Sequence, residues 1–151
     1  MLKDRKCRML LTAFGGLFML AGGGTAGAAV AAEFRAVMTG DNILSAGDTD
    51  GWGRARIDVY DNWDRLCADL EVRSVGDVTA VHIYRGTEGE DGSPVIKLDT
   101  PDDNNDSDDC DAIGDTLADE IQANPTEFYV SVLTTEFPDG AIRGQLVPSS
   151  D

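Results

Sequence analysis

The chain has 151 residues, with 12 Lys+Arg against 28 Asp+Glu and a single His, for a formal net charge of −16. Charge this negative excludes nucleic acid or an anionic membrane surface as an electrostatic partner, because phosphate contacts depend on Lys and Arg releasing counterions. The length fits one domain, and hydrophobic residues at 42%, with both Trp and all three Tyr beyond residue 32, supply a core and exclude wholesale disorder.

Residues 3–8 form a basic start, Met9 to Leu20 is almost purely apolar, and a small-residue tract runs from Ala21 to Ala32. This layout predicts a secretory signal peptide over residues 1–32, cleaved after Ala31 or Ala32, with the mature domain over 33–151. A retained anchor is the alternative, but the apolar run falls short of the roughly 20 residues of a span. The chain is therefore expected to be secreted or periplasmic, with no stable membrane insertion after cleavage. Removing residues 1–32 takes away Lys3, Arg5, Lys6, Arg8 and Asp4 and leaves 8 basic against 27 acidic residues, a net −19.

Ala55, Ile57 and Val59 alternate with polar residues, as do Leu66, Ala68, Leu70 and Val72, which predicts two half-buried strands. Asp61-Asn62 between them reads as a hairpin turn. Val78 to Tyr84 is apolar on both faces and is expected to be a central strand, followed by Val95 to Leu98. Gly86, Gly89 and Gly92 lie between these two in a hairpin loop whose Glu88, Glu90 and Asp91 would repel a phosphate.

The tract from Asp99 to Asp111 is the one strongly biased segment and is expected to be a solvated loop. Its alternating oxygen donors Asp99, Asp102, Asp103, Asp106 and Asp108 are what a calcium ion selects, although the turn glycine and terminal Glu of an EF-hand are missing. Asp48-Thr49-Asp50-Gly51 is a second such candidate and reads equally as a turn. Beyond the tract, Thr116 with Asp119 has a capping-box pattern and Asn124-Pro125 a stop, predicting one short helix over 116–123. Phe128 to Leu133 and Ala141 to Val147 complete the strands, joined by a turn at Pro138-Asp139-Gly140. Short strands about ten residues apart with one helix predict an all-β fold, an antiparallel β-sandwich or small barrel of the immunoglobulin-like or superoxide-dismutase-like kind.

Cys7 precedes the apolar run, which leaves Cys67 and Cys110 in the mature chain. An even number in an exported domain predicts a disulfide between them; free thiols or an intermolecular bridge are the alternatives. No nucleophile–base pair stands out, and with 27 acids no two carboxylates are singled out for acid–base work.

Four segments carry a resemblance: Phe34 to Gly40; Leu66 to Val72; Val78 to Gly86, running through His82-Ile83-Tyr84-Arg85-Gly86 to Pro94-Val95; and Asn124-Pro125 through Phe128-Tyr129-Val130 to Pro138-Asp139-Gly140-Ala141-Ile142-Arg143-Gly144-Gln145-Leu146. Together they resemble the chordin-type (CHRD) domain, a secreted β-rich module found in chordin and in many exported bacterial proteins. Where that family often has His-Ile-His, this chain has His82-Ile83-Tyr84, and Leu133 precedes Thr134 where the family often has another His. One imidazole does not hold copper or zinc alone. His82 is expected to be a packed or hydrogen-bonded strand histidine, and Arg143 to pair with a strand carboxylate. The resemblance implies an exported non-catalytic module that binds an extracellular protein or glycan or serves as a stable surface domain. Two alternatives accompany it: a weak divalent-cation (calcium) binding protein using residues 99–111, no cofactor being expected otherwise, and a degenerate metalloenzyme on a superoxide-dismutase-like sandwich.

Overall fold

A computed structural model describes residues 31–60 and 64–149. The expected signal-peptide segment up to residue 30 and the turn at Asp61-Asn62 lie outside the described residues. Among these residues nine strands run antiparallel: β1 (Ala32–Thr39), β2 (Trp52–Tyr60), β3 (Arg65–Arg73), β4 (Val78–Arg85), β5 (Ser93–Leu98), β6 (Asp106–Ala112), β7 (Phe128–Thr134), β8 (Ile142–Gln145) and β9 (Val147–Pro148). One α-helix among the described residues, α1, spans Asp115–Ala123. The order across the sheet is β5-β4-β7-β8-β1-β2-β3-β6, with β9 added on β1.

The sheet is continuous but pinched in the middle, where β1 and β8 share only the pair Thr39 and Arg143. Its two halves fold toward each other around one core. Met38, Ile57, Leu66, Leu70 and Val72 of one half are fully buried in the same apolar cluster as Ile83, Phe128, Val130 and Ile142 of the other. The alternation of the predicted hairpin holds residue by residue, with Ala55, Ile57 and Val59 opposite Leu70, Ala68 and Leu66. β4 lies between β5 and β7, in keeping with an apolar run on both of its faces.

Glycine is required where β8 crosses β1. A Cβ on Gly144 would stand 2.3 Å from the carbonyl oxygen of Val37, so no larger residue allows this approach. Gly140 ends the Pro138-Asp139 turn at φ +134, in the region that favours glycine.

Three expectations need correction. The acidic tract is not one loop: its second half is strand β6, paired with β3 from Arg65↔Ala112 to Glu71↔Asp106. Composition hid it, because Asp is depleted in strands, and here tertiary pairing overrides propensity. The helix begins one residue earlier than the capping-box reading, with Gly114 as its N-cap, and Thr116 caps nothing. Instead, Asp115 Oδ1 accepts the Thr116 amide at 2.8 Å. Finally, the last strand is split at Leu146 into β8 and β9, because the fully buried Leu146 directs its amide to Phe128 O (2.9 Å) while β9 joins β1.

Cys67 and Cys110 are joined in a disulfide across β3 and β6. No helix among the described residues is long and apolar enough to cross a membrane.

Candidate functional site

On β7, both faces are buried. Phe128, Val130 and Val132 point into the core, while Tyr129 and Ser131, on the outer face, are also 4% exposed each. Two loops cover that outer face: residues 40–51 between β1 and β2, and residues 86–92 between β4 and β5. Under them lies a cavity of about 350 Å³, lined by Ile43, Leu44, Tyr84, Asp91, Tyr129 and Arg143 among others. An adjoining cavity of about 190 Å³ shares Leu44 and Arg143 and is bounded by Asp41, Glu88 and Gln145.

Neighbouring strands build the floor as a row of stacked side chains. The guanidinium carbon of Arg143 lies 3.6 Å from the Tyr129 ring centroid. Tyr129 stacks on Tyr84 at 5.0 Å with 3° between the planes, and His82 meets the Tyr84 ring edge-on at 5.8 Å. The register delivers this order, since Tyr84 is opposite Tyr129 and Arg143 opposite Ser131. A bulge between Ile83 and Tyr84 on the β5 side breaks the pairing beside the stack, as bulges do where a strand re-aims a side chain.

Residues of the resemblance string hold the loop over this floor. Arg143 Nη2 donates to Thr87 O at 3.0 Å and Gln145 Nε2 to Gly86 O at 2.8 Å and Thr126 O at 2.6 Å. The Gly86 amide donates to Glu127 O at 2.7 Å, and the Gly92 amide to the Tyr129 hydroxyl at 3.1 Å. From the other side, Asn42 Nδ2 donates to Arg143 O at 3.0 Å and the Asp48 amide to Ala141 O at 2.8 Å. Asp48 is buried and accepts the Asp50 and Gly51 amides on Oδ1, so Asp48-Thr49-Asp50-Gly51 is a side-chain-stabilised turn.

The expected pairing of Arg143 with a strand carboxylate is corrected. Among the described residues its nearest carboxylate is Asp91 of the 86–92 loop, 3.7 Å from Nη1, while the Arg143 side chain is 4% exposed and lies over an aromatic ring. His82 is packed on the strand, but its Nδ1 is buried without a hydrogen-bond partner. Burial, and then the Lys97 charge, hold its pKa below the ordinary 6.5. Burial and the neighbouring Tyr129 raise the Tyr84 hydroxyl.

The calcium candidates are placed apart from this cleft. Asp102 Oδ1 accepts the Asn104 amide at 2.7 Å in a turn closed by the Asp102 amide on Asp106 O. Asp99 and Asp103 are exposed beside it, and Asp106 and Asp108 lie on the outer face of β6 opposite Glu71 and Asp69. Among the described residues no three His, Cys, Asp or Glu side chains gather where a metal ion could sit. The strand neighbours of His82, Ser131 and Lys97, supply no set of copper or zinc ligands.

Of the residues singled out in the sequence, Tyr84, Arg143 and Gln145 line these cavities, His82 packs behind Tyr84, Gly86 is held by Gln145, and Gly140 and Gly144 shape the backbone behind them. Pro138 sits in the exposed turn before Gly140. The sequence reading missed Tyr129, Asp91 and the Ile43-Leu44 wall. Tyr129 carried a signal, an aromatic on the polar phase of its strand, whereas the loop residues carried none.

No curated protein and no solved structure matches the chain. The CHRD domain model matches residues 34–146, from the buried Phe34 of β1 through the cleft-forming Arg143 and Gln145 to Leu146, and the chain belongs to the CHRD domain family.

Proposed function

We propose that this CHRD protein is an exported, non-catalytic module that binds an extracellular or envelope partner, protein or glycan, in the cleft around Arg143. One observation carries the reading: the side chains of the most specific sequence string, Arg143 and Gln145, fasten the loop that roofs a cavity with an aromatic and guanidinium floor. Pockets of roughly 300–1,000 Å³ with a few convergent polar groups are where small ligands bind. The lining offers groups for recognition, and among the described residues neither of its serines, Ser45 and Ser131, is hydrogen-bonded to a histidine or carboxylate base. Ser131 Oγ is committed to Ile142 O at 3.4 Å, and both mature cysteines are in the disulfide.

The test is biolayer interferometry of the mature protein against panels of extracellular proteins and glycans, run beside turnover assays on hydrolytic and redox substrates. Saturable binding that Leu44→Glu abolishes, without turnover, is expected. Robust turnover, or binding that ignores Leu44, overturns the reading.

A further inference from the structure

We infer that the cleft takes the carboxylate end of a basic peptide, with the free carboxylate on Arg143 and Lys or Arg side chains along the rim. The inference rests on the binding reading above and adds the chemistry of the ligand.

Arg143 is a charge almost wholly removed from solvent, at 4% exposure. Among the described residues one of its five N–H donors finds an acceptor, Nη2 on Thr87 O. Asp91, its nearest carboxylate, is beyond hydrogen-bond length at 3.7 Å and its side chain is 83% exposed, so water screens it. The side chain is enclosed, but no Arg143 nitrogen is among the buried atoms that lack a partner, so its unbonded N–H groups face solvent that an anion can displace. Arg143 lines both cavities together with Leu44. A planar two-oxygen acceptor matches that fork, and its stacking on Tyr129 fixes the plane in which the acceptor lies.

The rim selects the rest of the ligand. Asp41, Glu88, Asp91 and Asp139 are all exposed around the same two cavities, on a chain already at −16. A ligand that is anionic throughout, such as a polyuronate or polyphosphate, meets repulsion from all four. A chain end with its negative charge inside and positive charges outside satisfies both layers. Ile43 and the half-exposed Leu44 give the terminal side chain an apolar wall. Two cavities flanking one guanidinium also suit a chain better than a single small molecule.

The probe is a fluorescein-labelled Lys-Gly-Lys-Gly-Val peptide, compared by anisotropy with its C-terminal amide and with the version carrying Glu for both Lys. The free acid is expected to bind at least about thirtyfold more tightly than the amide, as expected when a buried charge loses its partner. It should also bind more tightly than the Glu peptide. Arg143→Gln should abolish the preference for the acid. Glu88→Lys with Asp139→Lys, both on exposed loops, should weaken the basic peptide about tenfold at an unchanged melting temperature, which separates a lost contact from a lost fold. Equal binding of acid and amide, or of Lys and Glu peptides, overturns the inference. If glycans bind in a Leu44-dependent way while no peptide does, the inference fails and the binding reading stands. If no probe of either kind binds, both fail.

Discussion

Tyr129 stands between two flat partners, with the Arg143 guanidinium 3.6 Å from its ring centroid and the Tyr84 ring stacked on it at 5.0 Å. This single side chain couples three strands of one half of the sheet to the loop above them. Tyr129→Phe removes only the hydroxyl that accepts the Gly92 amide and should cost about 1 kcal/mol. Tyr129→Leu also removes the stack and the cation–π contact and should cost about 3 kcal/mol. Urea unfolding of the two variants checks the difference; equal losses would show that the stack contributes nothing.

The disulfide between Cys67 and Cys110 closes a segment of 43 residues that contains β4 and β5. Loop-closure entropy gives it ~4 kcal/mol, acting mainly on the unfolded chain. Cys67→Ser with Cys110→Ser should therefore lower the melting temperature by about 10 °C or more. Scanning calorimetry with and without reductant measures it, and an unchanged midpoint refutes the assignment of stability to the bridge.

Across β3 and β6, Asp69 faces Asp108 and Glu71 faces Asp106. Like charges directly opposite each other are unfavourable, by a few tenths to about 1 kcal/mol a pair. Glu71 is relieved by Arg73, which hydrogen-bonds it, and by Arg54 at 2.6 Å, and these lower its pKa. Arg56 stands opposite Asp69 on β2 but turns its guanidinium to Glu33 and Asp58, so among the described residues Asp69 makes no ion pair on this face. Asp108→Asn should stabilise the protein more than Asp106→Asn at about 0.01 M salt, and the gain should vanish near 1 M. Thermal melts at the two ionic strengths decide it.

The calcium reading of Asp99, Asp102, Asp103, Asp106 and Asp108 has a direct measurement. With Asp102 engaged by Asn104 and with Asp106 and Asp108 spread along a strand, titration calorimetry at millimolar calcium should give no saturable heat. A saturable isotherm lost in Asp102→Asn would establish the site.

For His82, burial and Lys97 lower the folded-state pKa below 6.5, so the unfolded chain takes up the proton first as pH falls. The stability from keeping it neutral is complete above about pH 6.5, declines as pH drops toward the lower folded value, and levels off beneath it. His82→Gln should flatten this part of the stability profile while leaving the decline from carboxylates at lower pH. A variant with an unchanged profile would show that the imidazole is not the titrating group.

The sequence by itself determined the strands whose side chains alternate, because burial on one face imposes a period of two wherever a strand forms. Ala55, Ile57 and Val59 pair with Leu70, Ala68 and Leu66 as that alternation requires. It also pointed to the disulfide partners, because Cys67 and Cys110 are the two cysteines beyond the expected signal segment, and to the family through its Asp139-Gly140-Ala141-Ile142-Arg143-Gly144-Gln145 string. Tertiary structure alone decided that Asp106 to Ala112 is a strand, because its ladder to β3 and the Cys110 bridge outweigh a sequence of aspartates that locally favours a turn. It alone decided the site. Leu44, Tyr84, Asp91, Tyr129 and Arg143 lie up to about a hundred positions apart, and only the strand order β4-β7-β8, with the 40–51 and 86–92 loops folded over it, brings them to one cavity. Pairing between distant strands is a global minimum over many alternatives, and no local period in the chain encodes it.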